Sequence, residues 1–190
     1  MAYIYIALVD TPGIFASMIR GFLKQRYVHV VISKDVNLTE AYSVGRRNPA
    51  VPVIAGFERE DKNKILRIFP TAFYRIYELP CTPAQKQRIM ERLEADYRRR
   101  FRIHYAVCGL PFLVLGIPFC QKDHYTCASY IARVLQENGI FVSQKHFSLV
   151  TPKDFLEYGG MKQVFEGPLS EIVSPNLNFA WEGVTAYGKG

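Results

Sequence analysis

Four cysteines and four histidines are spread along this chain of 190 residues, and one of them stands where a nucleophile belongs. Cys127 lies in Asp123-His124-Tyr125-Thr126-Cys127-Ala128-Ser129-Tyr130-Ile131-Ala132-Arg133-Val134-Leu135, a polar loop that breaks into a helix. Asp123 and Thr126 offer the oxygens that cap a helix start, and Gly139 suits its end. Ile131, Val134 and Leu135 fall at i+4, i+7 and i+8 from Cys127, so the sulfur belongs to the inward face. At a helix N-terminus the unpaired amides and the macrodipole favour thiolate over thiol. The chemistry indicated is acyl transfer through a cysteine.

A cysteine nucleophile needs a base, and the base needs an orienting group. The candidates are His29, His104, His124 and His146. His29 sits mid-strand in Tyr27-Val28-His29-Val30-Val31-Ile32-Ser33, sharing a face with Val31 and Ser33. If the next strand returns through a turn at Lys34-Asp35, His29 faces Glu40. With the turn at Asp35-Val36 it faces Tyr42, and Glu40 stays on the same side. In either register a carboxylate is placed to hold the imidazole N–H and fix its tautomer. The alternative is an exposed cross-strand contact without chemistry. His124 precedes the helix by three residues, a position for capping or lining a rim. Cys108, Cys120, His124 and Cys127 match no common zinc-ligand spacing, so no metal or other cofactor is expected.

These residues carry a resemblance. An inward His on an early strand, an acidic residue on the following one (Leu38-Thr39-Glu40-Ala41-Tyr42) and a late Tyr-Thr-Cys-Ala-Ser at a helix start resemble the circularly permuted NlpC-type, papain-like cysteine hydrolases, the YiiX/YebB-like group. Val150-Thr151-Pro152-Lys153-Asp154-Phe155-Leu156 is similar to the segment that follows the nucleophile there. The resemblance spans residues 3–160. It implies a papain-like core with Cys127 as nucleophile, His29 as general base and acid, and Glu40 as the orienting group. It also implies hydrolysis of an amide bond in a peptide or acyl-amine through a cysteinyl thioester. The sequence departs from the family at Val30-Val31, where a small residue often follows the His.

In such a mechanism the oxyanion takes the Cys127 backbone N–H and one further donor. Tyr125 or Tyr42 either supplies that donor, braces the sulfur, or simply packs. Two rival functions stay open on the same fold: an acyltransferase, and a non-catalytic module binding lipid or peptide.

The elements that position these groups follow from the pattern. Residues 3–9 read as a buried strand, and Pro12 opens a helix running to about Lys24. Residues 27–33 and 38–44 form a hairpin, 51–57, 65–69 and 73–79 three more strands, and 161–165 an edge strand. Thr82-Pro83 starts the longest helix, to about Arg100, with Ile89, Leu93 and Tyr97 as its inner stripe. A short helix follows Thr151-Pro152. The expectation is α+β: one domain over residues 1–190, an antiparallel sheet with helices packed on it, and a tail over 174–190.

Composition excludes disorder, with 49% hydrophobic residues, 13 Phe and 12 Tyr. The net charge of +7 favours acidic partners, but much of it sits in Arg92, Arg98, Arg99, Arg100 and Arg102, a run read as a solvated helix face. That run lacks the interleaved aromatics of a stacking platform apart from Tyr97 and Phe101, so nucleic acid is not the expected partner. Ile103 to Phe119 is almost free of charge. Interrupted by His104, Gly109, Pro111, Gly116 and Pro118, it reads as a buried helix and loop rather than a membrane span. Contact with a membrane surface stays open, as does the oligomeric state. Without a basic, cleavable N-terminal segment, a reduced cytoplasmic protein is expected.

Overall fold

A computed structural model of the chain describes residues 1–12, 21, 26–48 and 51–174, and in residues 46, 48 and 51–54 the backbone alone. It is a mixed α+β structure built on one mostly antiparallel sheet of eight strands among the described residues. In chain order these are β1 (Ala2–Asp10), β2 (His29–Ser33), β3 (Ala41–Asn48), β4 (Val51–Arg59), β5 (Phe73–Cys81), β6 (His104–Tyr105), β7 (His124–Tyr125) and β8 (Lys162–Pro168). Across the sheet they run β7-β6-β4-β3-β2-β1-β5-β8, and only β6 and β7 are parallel neighbours.

The period of two sorts the strands onto two apolar faces. Ile4, Ile6 and Leu8 of β1, with Val30, Ile32, Tyr42, Val44 and Phe57, form one core. Ala7, Val9, Val31, Ala41, Tyr74 and Ile76 form the other. Both faces are covered. Helix α1 (Lys62–Ile68) and helix α6 (Leu169–Val173) bring Ile65 and Leu169 to the second core. Helix α2 (Pro83–Arg98) and helix α4 (Cys127–Glu137) close the first. Helix α3 (Leu110–Val114) and helix α5 (Pro152–Glu157) are short.

The helix starts are set by local chemistry. The Thr82 hydroxyl accepts the Gln85 amide while the Gln85 side chain accepts the Thr82 amide, with Pro83 at the first helical position. Thr126 and Ser129 form the same reciprocal pair at α4. Beyond α4, Gly139 has φ +76, the left-handed conformation glycine adopts without strain.

Three expectations change. Residues 65–68 belong to helix α1 rather than a strand, because Asp61 accepts both the Asn63 and Lys64 amides and nucleates a turn. The apolar segment 103–119 is anchored by fully buried Ile103 but otherwise projects: Val107, Leu115 and Ile117 are 61%, 69% and 49% exposed. The basic run is largely paired rather than merely solvated. Arg92 and Arg99 both bind Asp96, and Arg100 reaches Glu58. The helix expected from Pro12 to about Lys24 falls largely outside the described residues, as does the tail beyond 174. No helix among the described residues is long and apolar enough to cross a membrane.

Asp96 is the buried pin between α2 and α4. Its carboxylate accepts from Arg92 at 2.8 Å, from Arg99 at 2.8 Å and from the Tyr130 hydroxyl at 2.7 Å. Burial opposes its charge, but these three donors more than offset it and hold its pKa below the ordinary value. Replacing Asp96 with Ala strips a buried hydroxyl and two guanidinium groups of their acceptor. The expected loss is about 3 kcal/mol of unfolding free energy in urea titration.

Candidate active site

His29 and Cys127 meet where β2 and β3 part. The β2–β3 ladder holds at Ser33–Ala41 and Ile32–Tyr42 and then ends. The Val30 amide, next in line for that ladder, donates instead to the Cys127 sulfur, as does the Ala128 amide of the first turn of α4. The side chains of Cys127 and His29 are hydrogen-bonded. The start of β2 is offset as well. His29 is the partner of Val9, yet the preceding Val28 amide donates to the Val9 carbonyl at 3.1 Å. Two residues thus oppose one, the offset of a β-bulge, which turns a side chain out of strict alternation.

The far side of the imidazole is held by two groups. Nε2 lies 3.1 Å from a Glu60 carboxylate oxygen and 3.1 Å from the Ser43 hydroxyl, and Ser43 itself donates to Glu60. With Nε2 so engaged, Nδ1 is the ring nitrogen that faces the sulfur. Gly45 makes the ring's position possible. A Cβ there would stand 2.9 Å from His29 Cε1, closer than side-chain carbons approach, so any other residue would move the imidazole.

Electrostatics follow from this geometry. Burial of the ring disfavours its charge, but the Cys127 sulfur and the Glu60 carboxylate outweigh it and raise the His29 pKa to about 10. For Cys127, burial pushes the thiol up; the charge of His29, its hydrogen bond and the Val30 and Ala128 amides pull harder, and the net shift is downward. Both shifts favour the thiolate–imidazolium form of the pair.

Glu40, expected to orient the imidazole, does not reach it. It pairs with Lys34 at 3.0 Å and accepts from the Tyr42 hydroxyl at 3.4 Å. The loop is longer than either two-residue turn, since Ser33 pairs with Ala41 and residues 34–40 lie between. Asp35 organises that loop, one of its carboxylate oxygens accepting the Asn37 and Thr39 amides. The resulting register brings Ser43 and Gly45 to His29 and leaves Glu40 beyond the ladder. Glu60 arrives from the end of β4, where its amide bonds to the Ala41 carbonyl at 2.8 Å.

Tyr42 and Tyr125 are buried in the core, and Tyr125 also lines the cleft that opens at the start of α4. Tyr42 stacks on Phe57 at 5.8 Å, and Tyr125 packs edge-on to Tyr130 while its hydroxyl accepts from Arg133. The tyrosine beside the sulfur is Tyr105 of β6, whose phenol is pushed up by burial and then by the Cys127 charge. Ser43, Gly45, Glu60 and Tyr105 were not evident in the sequence. The one signal for Ser43 was a small polar residue inside the apolar run Ala41-Tyr42-Ser43-Val44; Glu60 was hidden in a charged stretch that read as solvated.

A cleft of about 100 Å³ lies beside this constellation. Leu113, Ile117, Phe119, Lys122 and Arg133 line it, with Thr126 and Ser129 at the helix start, but neither Cys127 nor His29 does. His124 borders the same cleft, its ring 5.1 Å from that of His104. All four cysteines are free, Cys81 and Cys127 buried and Cys108 and Cys120 exposed. No family model, curated protein or solved structure matches the chain.

Alkylation by iodoacetamide as a function of pH tests the ion pair. Cys127 is expected to react at a rate that reaches its plateau below the ordinary thiol range. In His29→Gln the counter-charge is gone and burial is opposed only by the Val30 and Ala128 amides, so the Cys127 midpoint moves up. Gly45→Ala, which displaces the ring without removing it, moves the midpoint in the same direction by a smaller amount.

Proposed function

We propose that this chain is a thiol-dependent hydrolase with a papain-like core in permuted order, base before nucleophile, that cleaves an amide bond in a peptide or acyl-amine. The observation that carries the reading is the hydrogen-bonded Cys127–His29 pair at the first turn of a helix, its imidazole held from behind by Glu60 and Ser43. Sulfur, imidazole and carboxylate stand in the order that nucleophilic catalysis needs.

The steps follow from the groups in place. The Cys127 thiolate attacks the substrate carbonyl carbon, and the carbonyl π pair moves onto oxygen. That oxyanion is received by the Cys127 backbone N–H, which the Thr126–Ser129 capping pair leaves free for it, with the Tyr105 hydroxyl as second donor. As the intermediate collapses, the C–N bond breaks and imidazolium His29 gives its proton to the departing amine. Neutral His29 then takes a proton from water, whose oxygen attacks the thioester. Collapse of that second intermediate releases the acid and returns the thiolate and imidazolium. Glu60 and Ser43 keep Nδ1 aimed at the sulfur throughout and stabilise the imidazolium from Nε2.

A panel of peptides and N-acyl-amines, assayed for amine release, tests the reading. Cys127→Ala abolishes turnover, and His29→Gln lowers kcat by about 10²–10⁴-fold. Glu60→Gln preserves the hydrogen bond but not the charge, and falls between wild type and His29→Gln. Hydroxylamine added during turnover traps the thioester as a hydroxamate. Turnover that survives in Cys127→Ala refutes a cysteinyl intermediate.

A further inference from the structure

Among the described residues, most of the large apolar side chains left in solvent are concentrated in one place, Met1 and Phe141 being the exceptions. Phe101, Val107, Phe112, Val114, Leu115 and Ile117 are between 36% and 69% exposed, and all belong to residues 101–117. The segment leaves the sheet at β6 and returns at β7. The two strands are tied to each other at the root by the His104 amide on the Asp123 carbonyl and the Ala106 amide on the Tyr125 carbonyl. Between them α3 packs mainly on the turn before it, and Phe112 stacks on Phe119 with centroids 4.5 Å apart. The result is a braced apolar protrusion, not a loose loop. Exposed apolar surface of this extent marks a place of contact.

Charge indicates what that contact is. From residue 97 to residue 122 the sequence holds Arg98, Arg99, Arg100, Arg102 and Lys122 and no carboxylate. Arg99 and Arg100 are engaged by Asp96 and Glu58, and Arg98 by exposed Glu94. Arg102 and Lys122 carry no ion pair among the described residues. They flank the outgoing and returning stems of the protrusion, and both are exposed. An apolar tip with cations at its root matches the apolar-to-anionic gradient of a lipid surface. A second protein would meet the tip with an apolar groove and have no need of the cationic collar.

We propose that residues 107–117 insert into the interfacial layer of an anionic membrane, with Arg102 and Lys122 on lipid phosphates. The protrusion supplies Leu113, Ile117 and Phe119 to the cleft beside Thr126, so docking brings that cleft to the lipid surface. The inference does not rest on the hydrolase reading, because it concerns binding alone.

Co-sedimentation of the full chain with vesicles tests it. Wild type is expected to pellet with equimolar phosphatidylcholine and phosphatidylglycerol and to do so at least tenfold less with phosphatidylcholine alone. Leu115→Glu, at a solvent-exposed position, cuts the bound fraction at least tenfold while its thermal unfolding midpoint stays with wild type. Arg102→Gln combined with Lys122→Gln weakens binding to the anionic vesicles and makes it less sensitive to salt. Failure to pellet with either vesicle overturns the proposal, as does pelleting that Leu115→Glu leaves unchanged. A concentration-dependent dimer that Leu115→Glu dissolves, without vesicle binding, also overturns it and assigns the patch to self-association.

Discussion

A charged sulfur under the surface of a protein is tenable only beside its counter-ion, and the rest of this site depends on that pairing. Taking one ion out of water costs several kcal/mol even after relaxation. Opposite charges at 4 Å return about 4 kcal/mol at an effective dielectric constant of about 20. The two are of the same order, so the pair alone does not decide the outcome. The supporting donors decide it: the Val30 and Ala128 amides and the positive end of α4 on the sulfur, Glu60 on the imidazole.

The sheet creates the space for that pairing by stopping short. Had the β2–β3 ladder continued past Ile32–Tyr42, the Val30 amide would be spent on a strand partner. The parting of the strands releases it, and α4 is packed so that its first residue fills the opening. Ser43, Gly45 and Glu60 approach from β3 and the end of β4, one supplying a hydroxyl, one an absence of side chain, one a carboxylate. Helix α4 is held in place elsewhere, to α2 by Asp96 and to the sheet by its apolar face.

What could be read in the sequence divides along the range of the interactions. The limits of α4 were legible because each is set locally, the start by the Thr126 cap and the end by Gly139. So were the alternating strands around Val30 and Ile6 and the helix opened by Thr82-Pro83. The identity of the acid was not. Glu40 and Glu60 are the same residue type, and the choice between them turns on Asp35, which folds residues 34–40 into a loop instead of a tight turn and shifts the register. The apolar run 103–119 failed for a related reason. Hydrophobicity says that a segment prefers to leave water, but not whether the chain's own core or another surface receives it. Helix α1 was missed because its short apolar pattern fits a strand equally well, and only the Asp61 cap separates the two.

The most direct test of the ion pair is its ultraviolet signature, the thiolate absorbance of wild type minus that of Cys127→Ala, followed as pH is lowered from neutral. A thiolate band that persists until the solution is distinctly acidic, and that vanishes at neutral pH when His29 is replaced by Gln, is the predicted result. A band that appears only at alkaline pH, with or without His29, would contradict the account.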